Sequence, residues 1–399
     1  MKKSLFALAA VGAFAGAAQA QSSVTVYGNL DIAAGQATNS TFAVGGTETK
    51  YNIRTSGNGD GALSTSVIGF RGTEDLGAGL KANFQLEYDL TDIGTGGNGN
   101  TNQTTTNGAA DTTTAVNGTS TGINNGFGAR QSWLSLSSSA FGELKLGRTA
   151  QSIHGVIANG LAGAGNNVAG SLYSSGSNAA SETRAGIRAH NVYVNRAITY
   201  TTPTMSGVSV QLQHGSQSID NETTAARAAV TSNSETGGSI TYTGVKNLTV
   251  AYGISKLDYN TASVSSTTAD TKTQAQALTA NYNFGPAAAF FVAQEKKVNV
   301  ATGALTSKDR AYELGLRAPV SSAITVWASA FTGDRASDTA TSKADLGGYQ
   351  VGVQYAFSKR SSMYGIYGNQ SIKNKEVSAA SSTSKTESAG MFLGVRHSF

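Results

Sequence analysis

The sequence predicts an all-β protein, a 16-stranded antiparallel transmembrane β-barrel, and three observations carry this prediction. Residues 79–90 alternate polar and apolar side chains with the period of a strand. The chain contains 48 Gly but only 3 Pro, with many Thr, Ser and Asn residues, and this composition favours strands joined by polar turns. A secretory leader precedes the first strand. Together these features indicate strands that lie between water and lipid.

The clearest strand is 79–90, GLKANFQLEYDL. Its even positions from Leu80 are apolar or aromatic, whereas its odd positions are polar: Lys81, Asn83, Gln85, Glu87 and Asp89. Successive side chains of a strand point to opposite faces, and about 9–11 residues are enough for a tilted strand to cross a bilayer. An edge strand of a soluble sandwich has the same pattern. The two alternatives differ in whether the unit recurs and whether the chain is directed to a membrane.

Residues 1–20 have the features of a signal peptide, with Lys2 and Lys3 before an apolar run and small residues at Ala18 and Ala20. We therefore assign 1–20 to the leader and 21–399 to the barrel. Beyond the leader no apolar run approaches the roughly 18 residues of a membrane helix. A closed barrel is then the only structure in which every backbone N–H and C=O group has a hydrogen-bond partner inside a bilayer. The chain has no Cys, so no disulfide contributes to its stability.

The same alternation recurs along the whole chain. Short connections alternate with long polar ones, as expected for a barrel with one tight-turn rim and one loop rim. The long connections include 36–62, 91–127 and 149–189, and loops of such length are usually functional. Sixteen strands leave an aqueous lumen, whereas eight are filled by side chains. The predicted strands are 23–33, 64–73, 79–90, 129–138, 142–148, 193–202, 207–215, 238–243, 248–257, 273–284, 287–297, 310–318, 323–333, 346–357, 361–372 and 387–399.

No pattern in the sequence supports catalysis, a cofactor or a metal site. The four histidines, His154, His190, His214 and His397, lack metal-ligand spacing. The glycine-rich run 94–99 superficially matches a dinucleotide fingerprint, but no helical pattern follows it. The formal net charge of +5 is too small an excess to indicate nucleic-acid binding. We therefore predict that the protein is not an enzyme.

The sequence resembles the Gram-negative general (trimeric) porins, in particular the β-proteobacterial type. The resemblance covers the whole chain and depends on the order and spacing of several segments. These segments are SSVTVYGNLDIAAG, GFRGTEDLGAGLKANFQLEYDL, ARQSWLSLSSSAFGELKLGR, ITYTTPTMSGVSVQ, YAFSKRSSMYGIY and the terminal GVRHSF. The family resemblance implies a homotrimer of 16-stranded barrels in the bacterial outer membrane, with the third outer loop, here 149–189, folded into the lumen to narrow it.

The resemblance also implies roles for particular residues. Arg130 and Arg148 match basic wall residues of the constriction, and Lys81 and Glu87 match lumen positions. Relatives often carry an arginine where this chain has Val67. The sequence leaves open whether Arg71 replaces it.

The final strand also fits the family, because apolar residues alternate back from the terminal Phe399. Within the family this pattern implies recognition by the barrel assembly machinery.

The charges around the predicted constriction favour anions. The loop 149–189 contains one acid, Glu182, against Arg184 and Arg188, and the wall adds Arg130, Arg148, Lys81 and Lys145. A charged constriction biases which ions enter, so the local sign matters more than net charge. The alternative is a pore with little selectivity, because Glu87, Asp89 and Glu143 share the wall.

We therefore predict a passive diffusion channel for small hydrophilic solutes and inorganic ions, with weak anion preference. Its expected partners are two further copies of the chain, outer-membrane lipid, lipopolysaccharide and the barrel assembly machinery. The alternative is a surface β-barrel adhesin without channel activity, with 91–127 as its binding face.

Overall fold

The computed structural model describes residues 23–43, 48–56, 62–90, 128–162, 168–172, 192–219, 230–262, 270–300, 305–337, 343–375 and 383–399. Almost all of these residues are in antiparallel strands. The strands are β1 Ser23–Ala43, β2 Glu48–Ser56, β3 Val67–Gly77, β4 Leu80–Asp89, β5 Gly128–Ser138, β6 Gly142–Ala150, β7 Tyr193–Thr201, β8 Val208–Ile219, β9 Val230–Tyr242, β10 Leu248–Ala262, β11 Thr271–Asn283, β12 Ala288–Val300, β13 Leu305–Pro319, β14 Ile324–Ala336, β15 Ala344–Ala356, β16 Ser361–Asn374 and β17 Thr383–Ser398. One helix, α1, spans Ser152–Asn159.

The strands form a closed barrel. From β3 to β17 each strand pairs with its neighbours in the chain, and β1 pairs with β17 on one edge and with β3 on the other. The first and last strands meet with Asn29 opposite Ser398, and the Gly28 N–H donates to the Phe399 carbonyl at 3.1 Å. The barrel therefore has no free edge. β1 and β3–β17 are its 16 strands, which confirms the predicted fold class.

The additional strand, β2, corrects one prediction. Part of the connection 36–62 was predicted as loop, but β1 continues to Ala43 and β2 pairs with it from Ala34 opposite Ser56 to Phe42 opposite Glu48. Only the first part of β1, from Ser23 to Asn29, pairs with β3. Residues 48–56 alternate Glu, Lys, Asn and Arg with Thr, Tyr, Ile and Thr, so a period-two signal was present in a segment predicted as loop.

The outward face of the barrel is apolar, as the alternation predicts. Leu134, Leu314 and Leu393 are 60%, 66% and 65% exposed, although they are among the most hydrophobic residues of the chain. Cross-strand partners share a face, so Val26 and Phe70 both point outward while their neighbours Tyr27 and Gly69 point inward. An apolar face of this kind is stable when lipid or another subunit covers it.

The long connection between β6 and β7 contains the helix α1, which the sequence analysis did not predict. Its buried residues are Ser152, Ile153, Val156 and Ile157. The spacing of the three apolar members is that of one helix face, so a helical signal was present in a segment predicted as irregular. Within the described residues, no helix is both long and apolar enough to span a membrane.

Candidate functional site

The first part of the 149–189 loop lies against the inner wall of the barrel. Helix α1 packs on the lumen face of β8 to β11. Its buried side chains Ile153 and Ile157 have no exposed surface and join an apolar cluster with wall residues. A Cβ atom at Gly253 of β10 would lie 3.1 Å from the Ile153 Cα, so a side chain there would crowd the helix. The wall members of the cluster include Ala251, Ala275, Ala277, Val292 and Ala311.

The second described part of the loop, 168–172, is fixed by polar side chains of the opposite wall. Glu313 on β13 accepts a hydrogen bond from the Leu172 N–H at 2.7 Å and another from the Ser171 hydroxyl at 3.2 Å. Gln370 accepts one from the Gly170 N–H at 3.2 Å. We call these contacts the loop anchor. The loop therefore crosses from β6 to β16 along the inside of the barrel, as the inward-folded third loop was predicted to do.

A second inward segment, 62–66, covers the neighbouring wall. Asp31 of β1 has no exposed surface and accepts hydrogen bonds from the Ser64 N–H at 2.6 Å and the Tyr364 hydroxyl at 2.5 Å. The same Tyr364 oxygen accepts from the backbone N–H groups of Ala62 and Leu63 at 3.0 and 3.3 Å. The two segments leave the wall formed by β3 to β6 as the polar side of the lumen.

On that side, Arg71 of β3 and Glu87 of β4 both face the lumen, because the pairing of the two strands places them on the same face of the sheet. The Arg71 guanidinium carbon lies 5.0 Å from the centre of the Tyr27 ring, and the Tyr27 hydroxyl donates to Glu87 at 2.9 Å. Lys81 lies on the same face nearer the short-turn rim, opposite Ser137. Together with Trp133 and Lys145, Arg71 lines a cavity of about 580 Å³.

Arg130 is held by two carboxylates. Its Nε lies 3.0 Å from Glu87 Oε1 and its Nη1 lies 2.7 Å from Asp89 Oδ1. The ladder between β4 and β5 shifts register here, with Glu87 opposite Gln131 and Tyr88 opposite Ala129, so Arg130 is the extra residue of a β-bulge. The bulge aims its side chain at both acids.

Arg148 makes no ion pair among the described residues. Its Nε donates to the carbonyls of Ala129 and Arg130 at 3.1 and 3.0 Å, and its Nη1 donates to Asn195. Its guanidinium carbon lies 4.8 Å from the centre of the Tyr193 ring, and that of Arg130 lies 5.4 Å from the same ring. Both arginines thus adjoin one aromatic side chain where the loop leaves β6.

Lys145 is shared between an aromatic ring and an acid. Its Nζ lies 4.0 Å from the centre of the Trp133 ring and 3.5 Å from Glu143 Oε2. Glu143 also accepts a hydrogen bond from the Ser135 hydroxyl at 2.6 Å. These contacts fix the position of the lysine without removing it from the lumen.

Three inward-facing arginines were missed by the sequence analysis, and one of them, Arg335 of β14, pairs with Asp309 at 2.7 Å. Arg317 on β13 and Arg396 on β17 point inward, because their neighbours Leu316 and Val395 are exposed on the outer face. Arg396 donates to Asn29 at 2.6 Å. The alternation in the sequence was sufficient to place both on the wet face.

Three predicted site residues, Glu182, Arg184 and Arg188, lie outside the described residues. In the parts of the chain that the structure describes, no group of His, Cys, Asp or Glu residues could hold a metal ion. His214 contacts Thr236 at 2.8 Å, and His397 contacts Ser361 at 2.9 Å.

Comparison with known proteins identifies relatives over the full length of the chain. The family model described as Gram-negative porin matches residues 7–375. Outer membrane porin protein 32 of Delftia acidovorans is 30% identical over 417 residues, covering 100% of both chains. The anion-selective porin from Comamonas acidovorans has a TM-score of 0.63 at 22% identity, covering 95% of this chain and all of that one. The trimer form of OmpT from Vibrio cholerae has a TM-score of 0.57 at 13% identity, covering 95% and 99%.

Proposed function

This chain belongs to the Gram-negative porin family and is a channel of the bacterial outer membrane, and we propose that the channel prefers small anions. Small hydrophilic solutes and ions cross it by passive diffusion. Solute transfer of this kind requires a wet lumen and no chemical step, and charges at the constriction bias which ions pass. The adhesin alternative predicts a silent protein, whereas a porin gives conductance steps in a planar bilayer.

The observation that supports anion preference is the unequal pairing of lumen charges. Glu87, Asp89 and Glu143 each lie within 3.5 Å of a basic nitrogen. By contrast, several lumen-lining or rim cations have no carboxylate within 4.0 Å among the described residues. Arg130 and Lys145 thus leave one negative charge uncompensated among these three acids, against four such cations, so the excess charge that an ion meets is positive and favours an anion. These unpaired cations are Arg71, Arg148, Arg317 and Arg396.

The Comamonas relative supports the same conclusion, because its name describes it as anion-selective. We also assign Glu182, Arg184 and Arg188 to the constriction on the resemblance alone.

We further propose that the mature protein, residues 21–399, is a homotrimer, as the OmpT trimer suggests. Removal of residues 1–20 and recognition of the strand ending in Phe399 by the barrel assembly machinery would precede trimer formation. Outer-membrane lipid and lipopolysaccharide are then its surroundings. A trimer predicts insertion of conductance in groups of three steps.

Reversal potentials in a KCl gradient test the anion preference with Arg130→Ala and Arg148→Ala. A unit charge at 5–8 Å from an ion in water contributes about 0.5–0.8 kcal/mol. Arg130→Ala removes one positive charge, which acts with opposite sign on anions and cations, so we expect the anion-to-cation permeability ratio to fall by roughly fivefold or more. Arg148→Ala also removes one positive charge, so we expect a fall of similar size.

The matched control is Arg310→Ala, which removes an ion-paired arginine from the outward face of β13. It should leave the permeability ratio unchanged. If both lumen variants also leave the ratio unchanged while the channel still conducts, the proposed anion preference is wrong.

A further inference from the structure

The inner faces of β1 and β3 to β6 carry a block of polar side chains on the short-turn side of Arg130. Cross-strand pairing arranges these side chains in three rows. The row nearest Arg130 consists of Thr25, Arg71, Gln85 and Trp133, the second of Thr73, Asn83, Ser135 and Lys145, and the third of Asp75, Lys81, Ser137 and Glu143. In the third row Asp75 faces Lys81, so this pair adds no net charge. A solute that has passed Arg130 meets this block next.

Hydrogen bonds hold the second row in place. The Thr73 hydroxyl donates to Asn83 Oδ1 at 3.0 Å, and the Asn83 amide donates to the hydroxyls of Ser135 and Ser137 at 3.2 and 2.9 Å. The Ser135 hydroxyl donates to Glu143 at 2.6 Å. These bonds fix one side of the cavity of about 580 Å³ on this wall. Its volume lies within the range of about 300–1,000 Å³ that is typical of small-molecule pockets.

The other polar groups of the cavity are available to a solute. Thr25 and Arg71 lie opposite each other and are both exposed to the lumen. Lys145 Nζ lies 3.5 Å from Glu143, which is longer than the roughly 2.7–2.9 Å of a charge-assisted hydrogen bond, so its ammonium group keeps donors for a ligand. The charged residues that line the cavity are Arg71, Lys145 and Glu143. They leave one positive charge in excess.

We propose that this cavity binds a monosaccharide that carries one anionic group, a carboxylate or a phosphate. The anionic group contacts Arg71 and Lys145, and the sugar hydroxyls bond to the Thr25 hydroxyl and the Gln85 amide, which both donate and accept. An inorganic anion would not use these neutral groups, whereas a neutral sugar would leave the excess positive charge unmatched. The proposal rests on the channel function proposed above and names a solute class for it.

Block of the single-channel current by added solutes tests the assignment. In 1 M KCl the Debye length is about 3 Å, so the field of distant charges is screened and direct contacts dominate. Glucuronate should lower the current of the unaltered channel with a saturating concentration dependence. Glucose, which has no charge, and acetate, which has no hydroxyl group, should show no saturation over the same concentrations. Glucose 6-phosphate is the second anionic probe, and the lower half-saturation concentration of the two identifies the preferred anionic group.

Arg71→Gln should raise the half-saturation concentration of glucuronate by about tenfold or more, because a charge-assisted contact is lost. Its matched control is Arg317→Gln, which removes the same charge from the lumen face of β13 and should change this concentration by less than about twofold. Thr25→Val keeps the charge and the shape of the side chain but removes its hydroxyl. It should weaken glucuronate binding by about threefold and leave the KCl reversal potential unchanged.

Equal half-saturation concentrations for Arg71→Gln and Arg317→Gln would overturn the proposed sugar site. Equal block by acetate and glucuronate would overturn it too, because the cavity would then recognise a negative charge alone. Neither result would alter the anion preference measured in a KCl gradient. Conversely, a channel that binds glucuronate but shows no anion preference would contradict only the proposed function.

Discussion

Removal of the Glu313 carboxylate is the most direct test of how the inward loop is held. Glu313 is 3% exposed, on the lumen face of β13, and its Oε2 accepts both the Leu172 N–H and the Ser171 hydroxyl. Glu313→Ala removes both hydrogen bonds and leaves the buried Leu172 N–H without its partner. The substitution changes no residue of the loop itself. Any effect on the pore therefore reports the loop anchor.

The structure sets the size of the effect. Leaving a buried donor without its partner costs about 1–3 kcal/mol, so the loss of the two hydrogen bonds together costs about 2–6 kcal/mol. In this variant the Gln350 side-chain amide still binds the segment, because it donates to the Val168 and Ala169 carbonyls at 3.3 and 3.4 Å. The segment should therefore remain docked for most of the time. A loss of about 3 kcal/mol nevertheless raises the population of the undocked segment by more than about hundredfold.

Single-channel recording in planar bilayers measures this population. Because an undocked segment enters the lumen, Glu313→Ala should show brief additional current steps and greater open-channel noise. Glu313→Gln keeps one acceptor oxygen and should give an intermediate result. Asp345→Ala removes an acid from the outward face, where Asp345 pairs with Lys375 at 2.7 Å, and should behave as the unaltered protein. A folded Glu313→Ala channel with unaltered noise would refute the anchoring argument.

Two further substitutions test the wall beneath the inward segments. Tyr364→Phe removes the hydroxyl that joins Asp31 to Ala62 and Leu63, and we expect a lower thermal midpoint by circular dichroism, equivalent to about 1–3 kcal/mol. Gly368→Ala places a Cβ atom 1.8 Å from the Ala169 carbonyl oxygen, so the loop must move and the conductance should change. Gly347→Ala, where the nearest atom lies 3.8 Å away, is its control and should leave conductance unaltered. Unchanged values for Tyr364→Phe or Gly368→Ala would contradict these contacts.

The barrel was predictable because most strands have one face toward water and the other toward lipid. In β4 the polar residues from Lys81 to Asp89 all point inward. The alternation of polar and apolar residues in the sequence therefore predicts directly which face is which. The alternation of polar and apolar residues is lost where the inward segments cover the inner wall. Trp327 and Phe331 of β14 and Ile366 of β16 point inward and are 3–5% exposed, because the inward segments bury them. Apolar residues then occupy both faces, and the sequence no longer distinguishes in from out.

The constriction was less predictable than the barrel. The family resemblance identified Arg130, but its pairing with both Glu87 and Asp89 depends on a bulge that the sequence analysis did not predict. Arg317 and Arg396 could have been found, since each follows an outward apolar residue in a predicted strand.

Glycines of the inner wall explain how a loop of low sequence complexity can have a fixed path. Side chains at Gly253, Gly315 and Gly368 would approach Ile153, Ala162 and Ala169 to 3.1, 2.5 and 1.8 Å. Each glycine is at an inward position of its strand, where most other residues would push the loop toward the pore axis. The route of the loop is therefore encoded in the wall as much as in the loop. It follows that a larger residue at one of these glycines should narrow the lumen without altering any charged group, so pore size and ion preference can change independently.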